Sequence, residues 1–230
     1  MSNPVVLITG ALTGIGRATA LAFAHQGASI VVSGRRDDAG QTLVAELRAL
    51  GAEAEFVRAD VRRESDVQNL VDKTVARFGR LDTAVNNAGT EGKPGPVTEQ
   101  TAETYAATFD TNVLGVLLSM KHELRVMQAQ GFGSIVNLSS TMGQRGAPGA
   151  SLYTAFGVRV NAVAPGPIET AMLDRFAGNA DRKAGMVAGI PLKRAGRPEE
   201  IADAIVFAAS GKASFITGQI INVNGGKTAS

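Results

Sequence analysis

The chain has 230 residues, 44% of them hydrophobic and 19% charged, and its 23 Lys and Arg against 21 Asp and Glu leave a formal net charge of +2. This suits one globular domain with a substantial core and argues against disorder, fibrous repeats and the clustered basic face of a nucleic-acid binder. The absence of cysteine removes disulfides, thiolate zinc sites, iron–sulfur clusters and thiol nucleophiles, and two histidines, His25 and His122, are too few for a histidine-rich metal site. Each lies on an expected helix and reads as structural, so no metal is expected.

Residues 1–4 lead directly into Val5-Val6-Leu7-Ile8 without a basic leader, and no run approaches the roughly 18 apolar residues of a membrane helix. The expectation is a cytoplasmic protein with neither membrane nor nucleic acid as a partner.

Short β-branched runs then alternate with helical stretches. A strand at 5–9 precedes a helix at 15–26; the next pairs are 29–33 with 38–50 and 54–58 with 64–78. A fourth strand at 81–85 precedes a long helix across 101–130, and a fifth strand occupies 134–138. Nearly continuous apolar strands between amphipathic helices predict a parallel sheet covered on both faces, a single doubly wound α/β (Rossmann) domain spanning 1–230. The sixth strand, 158–163, breaks the rhythm. A parallel crossover needs a helix of about ten residues or more, yet 139–157 holds four Gly, one Pro and no helical period. After a mixed segment at 168–196 come a helix opened by Pro198 and a last strand at 219–223.

The first strand runs into Thr9-Gly10-Ala11-Leu12-Thr13-Gly14-Ile15-Gly16 and the first helix. Glycines there allow close backbone approach, and the helix's positive end favours a pyrophosphate; a plain tight turn is the alternative. With Asn86-Asn87-Ala88-Gly89 after the fourth strand and a Ser-to-Tyr block after the fifth, the chain resembles the short-chain dehydrogenase/reductase family over nearly its whole length. Asp60-Val61, Asn112, Val160-Asn161-Ala162-Val163-Ala164-Pro165-Gly166 and Gly225-Gly226 extend the resemblance, with 3-oxoacyl-carrier-protein reductase-like and polyol dehydrogenase-like members nearest.

The resemblance implies an oxidoreductase that interconverts a ketone and a secondary alcohol with a nicotinamide dinucleotide. Gly10, Thr13, Gly14, Ile15 and Gly16 would line the pyrophosphate and ribose, and Asp60 and Val61 would border the adenine. Asn86, Ala88 and Gly89 would sit by the central cofactor, while Pro165, Gly166, Ile168 and Thr170 would fix the carboxamide. Asp60 also reads as a solvated loop acid or helix cap. At the second strand's end, Ser33-Gly34-Arg35-Arg36 offers no acid to ribose hydroxyls, and Ser33, Arg35 and Arg36 could meet a 2′-phosphate. NADP(H) is therefore favoured over NAD(H), a solvated arginine pair being the alternative.

The family's catalytic group maps to Asn112, Ser140 and Tyr153, with Tyr153 exchanging a proton with the substrate oxygen, Ser140 orienting it and Asn112 holding a relay water. Tyr153 would also border the cofactor, whereas Tyr105 matches no motif and reads as a packing residue. The family's YxxxK is broken, because Tyr153-Thr154-Ala155-Phe156-Gly157 ends in glycine. Relatives continue with a lysine and a long helix, so about twenty residues are missing between Ala155 and Phe156. The expectation is that the sequence as written omits a segment carrying the lysine; a genuine deletion is the alternative, which would fit a dinucleotide-binding sensor or scaffold without catalysis. The 168–196 segment reads as a substrate lid or an amphipathic helix pair, and the family implies a homo-oligomer, dimer or tetramer. An epimerase is a weaker reading, and the residues do not name the substrate.

Overall fold

The computed structural model describes residues 3–91, 99–139 and 158–228. Its strands are β1 (Val5–Thr9), β2 (Ser29–Gly34), β3 (Ala54–Arg58), β4 (Thr83–Asn86), β5 (Gly133–Leu138), β6 (Val158–Pro165) and β7 (Ile220–Val223). They form one sheet in the order β3-β2-β1-β4-β5-β6-β7, every pair parallel. The order reverses between β1 and β4, which opens a crevice above their carboxyl ends, the place where such sheets take ligands.

The helices are α1 (Gly14–His25), α2 (Asp37–Ala49), α3 (Glu64–Phe78), α4 (Ala102–Phe109), α5 (Gly115–Gln130), α6 (Ala171–Ala177), α7 (Ala180–Ala188) and α8 (Pro198–Ala209). Alternation along the strands divides the core in two. Val6, Ile8, Ile30, Val32, Val136 and Val163 pack under Phe23, Leu43, Leu47, Ile201 and Ile205 of α1, α2 and α8. Leu7, Val31, Val57, Ala84, Ile135 and Val160 face the other way, under Leu70, Val71, Met120 and Met127 of α3 and α5.

Three expectations need adjustment. The helix foreseen across 101–130 is interrupted by a π-helical turn at Asp110–Leu114, where Gly115 lies so close to Val61 that a Cβ would meet its Cγ2 at 2.8 Å. Tyr105 is not a packing residue: it stacks on Phe109 at 4.2 Å but is 60% exposed. His122 is buried as a structural residue should be, yet neither ring nitrogen has a hydrogen-bond partner among the described residues, and Glu64 Oε1 stands 3.4 Å from Nε2; His25 is exposed. The 168–196 segment holds α6 and α7. The join at Ala155 and Phe156 lies outside the described residues. On the α5 side of the sheet, Ile220 of β7, in register with Ala162, is 53% exposed.

Arg159 of β6, to which the sequence reading gave no role, clasps the end of α8. Its guanidinium donates to the carbonyls of Ala208, Ala209, Ser210, Ala213 and Ile216 at 2.7–3.3 Å and to Ser134 Oγ. Those of Ala208 and Ala209 are carbonyls that a helix end leaves without intrahelical partners; Ala213 and Ile216 lie in the segment that follows.

Candidate functional site

The turn between β1 and α1 is built for close approach. Gly10 has φ +62° and Gly14 φ +55°, conformations that side chains disfavour, and a Cβ on Gly10 would meet Ala88 Cα at 2.7 Å. Gly16 is equally confined: a Cβ there would lie 2.4 Å from Asn87 Nδ2 and 2.5 Å from Gly10 O. Asn87 holds the turn across the crevice by donating from Nδ2 to the carbonyls of Thr9 (3.1 Å) and Gly10 (2.8 Å). The backbone N–H groups of Asn87 and Ala88 both donate to Thr9 Oγ1 at 3.2 Å. Asn87 was quoted in the sequence motif without a role; adjacency to Asn86 in sequence did not reveal which of the two faces the turn.

Thr13 stands at the N-cap of α1 without a side-chain cap bond, and α1 has no acid in its first turn, whereas α2, α3 and α8 each have two. That leaves the first-turn amides and the positive helix end for an anion. Ile15 is half-buried against the α1 side of the core.

Asn86 ends β4 but turns its amide inward, 2% exposed, onto Glu123 Oε2 (3.0 Å) and Asn137 Oδ1 (2.9 Å). Gly89 follows on the crevice side, where a Cβ would sit 3.4 Å from Asn112 Oδ1. Asn112, in the π turn, is committed through both ends of its amide: Oδ1 accepts from Thr90 N and Nδ2 donates to Thr90 O, each at 2.8 Å.

At the end of β2, Ser33 is 1% exposed and its Oγ has no hydrogen-bond partner among the described residues. Arg35 and Arg36 follow, exposed and outside the ion pairs formed by the described residues. Asp60 accepts from Arg62 Nε at 2.9 and 3.1 Å, and this contact, reinforced by the Arg35 charge, pulls its carboxyl down to about 2. Val61 is buried with Val67 and Leu118.

Across the crevice, β6 ends at Pro165, and Gly166 N donates to Val223 O at 3.1 Å. Ile168 is buried and bridges to Gly196. Thr170 caps α6 by accepting from Leu173 N, and its Cγ2 comes within 3.5 Å of a Cβ placed on Gly14. Farther along α6, Arg175 Nε donates to Glu91 Oε1 at 2.7 Å, which depresses the Glu91 pKa and ties α6 to the loop after β4. Neither Glu91 nor Arg175 was foreseen, because their separation of 84 residues has no local signature.

Ser140 and Tyr153 lie outside the described residues. Among the described residues no cluster of three or more metal-ligating side chains occurs and no helix is long and apolar enough to cross a membrane.

A glycine-lined turn at the switch point, facing the positive end of a helix, defines a dinucleotide-binding α/β protein, and the cradle and its free amide donors fit a pyrophosphate. The profile described as short chain dehydrogenase matches residues 4–156, and one described as Enoyl-(Acyl carrier protein) reductase matches 150–228. The cis-4-hydroxycyclohexanecarboxylate dehydrogenase of Sinomonas cyclohexanicum is 40% identical over 98% of this chain and 96% of its own. Among solved structures, levodione reductase superposes with a TM-score of 0.93 at 32% identity, covering 100% of this chain and 99% of that one. A variant actinorhodin polyketide ketoreductase with NADPH gives 0.88 at 31% identity, over 99% and 98%. The chain belongs to the short-chain dehydrogenase/reductase family, oxidoreductases of alcohol and ketone groups. The Sinomonas alignment spans 243 positions but only about 225 residues of this chain, 98% of 230, so that relative carries about eighteen residues without counterparts here.

Proposed function

We propose that this protein interconverts a ketone and a secondary alcohol with NADP(H) preferred over NAD(H). The observation that carries the reading is the glycine turn locked by Asn87 opposite the open N-terminus of α1. Gly10, Thr13, Gly14, Ile15 and Gly16 would hold the pyrophosphate and ribose; Asp60 and Val61 would border the adenine. The backbone at Asn86, Ala88 and Gly89 would flank the middle of the cofactor, with Pro165, Gly166, Ile168 and Thr170 around its carboxamide. When bound, the nicotinamide supplies or accepts the hydride. Tyr153 Oη gives a proton to the carbonyl oxygen in reduction and takes it back in oxidation, Ser140 Oγ orients that oxygen, and Asn112 steadies the relay side by fastening Thr90.

The chain places no lysine four residues after Tyr153, the position taken by Gly157. The sequence thus lacks, at the motif's spacing, the ammonium that would lower a tyrosine's pKa. The same absence favours a second reading, a dinucleotide-binding protein without turnover; cofactor binding with no turnover on a panel of carbonyls would establish it.

The preference for NADP(H) is supported by the missing acid at the end of β2 and by the exposed guanidinium groups of Arg35 and Arg36, which lie outside the ion pairs of the described residues. Comparison of kcat/KM with NADPH and NADH in wild type and Arg35→Ala tests it. Loss of a charge-assisted contact predicts about a tenfold fall in the NADPH:NADH ratio; a wild-type preference for NADH untouched by the substitution contradicts the assignment.

Segment 168–196 acts as the lid, supported by the tie of Arg175 in α6 to Glu91 after β4. Ring-bearing secondary alcohols are the first substrates to test, since the Sinomonas relative is named for a hydroxycyclohexane acid. Self-association is supported by Tyr105, Phe109, Val113 and Leu117, a four-residue-spaced stripe with exposures of 60, 44, 55 and 48%. The cytoplasm is the proposed location.

A further inference from the structure

Beneath the carboxyl ends of β4 and β5 lies a carboxyl group that the proposed chemistry does not use. Glu123 of α5 is 1% exposed and accepts a hydrogen bond from Asn86 Nδ2 at 3.0 Å. The same nitrogen donates to Asn137 Oδ1 at 2.9 Å, and Asn137 Nδ2 approaches Met120 Sδ at 3.3 Å. Asn86 and Asn137 are in-register partners across the two strands. One helix carboxyl thus engages the last residue of β4, and through it the penultimate residue of β5.

A buried carboxyl is costly, and burial raises Glu123 to about 7, the Asn86 bond only partly opposing this. Packing alone would be served by an apolar residue, as at the neighbouring Met120 and Met127 on the same buried face of α5. What the carboxyl adds is direction. Asn86 is joined by one peptide bond to Asn87, whose amide N–H and side chain, with the N–H of Ala88, hold Thr9 and Gly10 of the glycine turn. Asn137 leads through Leu138 and Ser139 toward Ser140.

We propose that Glu123 is a positioning residue: it orients the Asn86–Asn137 pair and thereby sets the Asn87 clamp on the glycine turn. Its consequence for cofactor binding rests on the oxidoreductase reading, but the clamp itself can be read in the ligand-free chain.

Amide hydrogen exchange of the ligand-free protein, paired with NADPH titration, decides the matter. Glu123→Leu, which keeps volume but removes the acceptor, is expected to speed exchange at Asn87 and Ala88 by tenfold or more relative to Ala20 in α1, and to weaken NADPH by a similar factor. Glu123→Gln, which retains an acceptor oxygen, is expected to restore both to within threefold of wild type. Met127→Ala, a buried change on the same helix without a bond to β4, should leave Asn87 and Ala88 unchanged relative to Ala20. Equal behaviour of Glu123→Leu and Met127→Ala at those amides overturns the proposal, as does a Gln variant indistinguishable from Leu. If Glu123→Leu does not fold, Asn137→Ala cuts the pair from its other side, and unaltered exchange at Asn87 and Ala88 then counts equally against it. A wild-type chain that binds no dinucleotide sinks the functional reading alone, because the exchange pattern still judges Glu123.

Discussion

Replacing Glu123 by Gln should alter how stability depends on pH. The carboxyl is buried, Asn86 is its only described hydrogen-bond partner, and burial lifts its pKa from 4.5 to about 7. The unfolded chain releases this proton near 4.5, whereas the folded chain retains it to about 7. The group's favourable contribution is thus complete below pH 4.5, declines as pH rises toward 7, and levels above it. At 1.36 kcal/mol per unit, the loss over that window is about 3 kcal/mol. For a chain of this size it corresponds to about 6 to 12 °C in Tm. Glu123→Gln removes the titration while keeping the shape, and every other group's pH dependence cancels in the difference between the two proteins. Thermal melts of both from pH 4 to 8.5 should show the variant gaining steadily on wild type between 4.5 and 7, with a flat difference on either side. A difference that stays constant across the range refutes the reasoning, since it means that Glu123 titrates alike in both states.

Two further outcomes concern Arg159 and Tyr153. Arg159→Met should lower stability by about 3 kcal/mol or more, because five carbonyls, three at the end of α8 and two in the segment after it, lose a charged donor; urea unfolding measures it, and a loss within 0.5 kcal/mol contradicts the clasp. A free tyrosine, with its ordinary pKa near 10, is about one part in a thousand ionised at pH 7, and the sequence puts Gly157, not lysine, at the motif position after Tyr153. Alcohol oxidation should therefore rise about tenfold per pH unit from 7 toward 10, and a plateau at pH 7–8 would show that another cation assists Tyr153.

Much of the architecture was legible because it follows from short-range rules. Apolar runs of about five residues between amphipathic helices specify a parallel sheet, and glycines at a strand-to-helix turn mark where a backbone must approach a ligand. The order of motifs located the crevice at Gly10–Gly16, Asn86–Gly89 and Pro165–Thr170, and the absence of an acid after β2 was visible directly. Roles that depend on side-chain direction were not. Asn86 and Asn87 are adjacent and chemically identical, yet one points into the core and the other fastens the glycine turn, because successive residues at a strand end leave on opposite sides. The pairing of Arg175 with Glu91, the Arg159 clasp and the burial of Glu123 join residues between 37 and 84 positions apart. No periodicity records such contacts; they exist only once the sheet has brought its strand ends together. The sequence by itself determined the fold, the family and the broken YxxxK motif. Tertiary structure alone decided which polar side chains hold the crevice in shape, since burial and direction are properties of the packed chain.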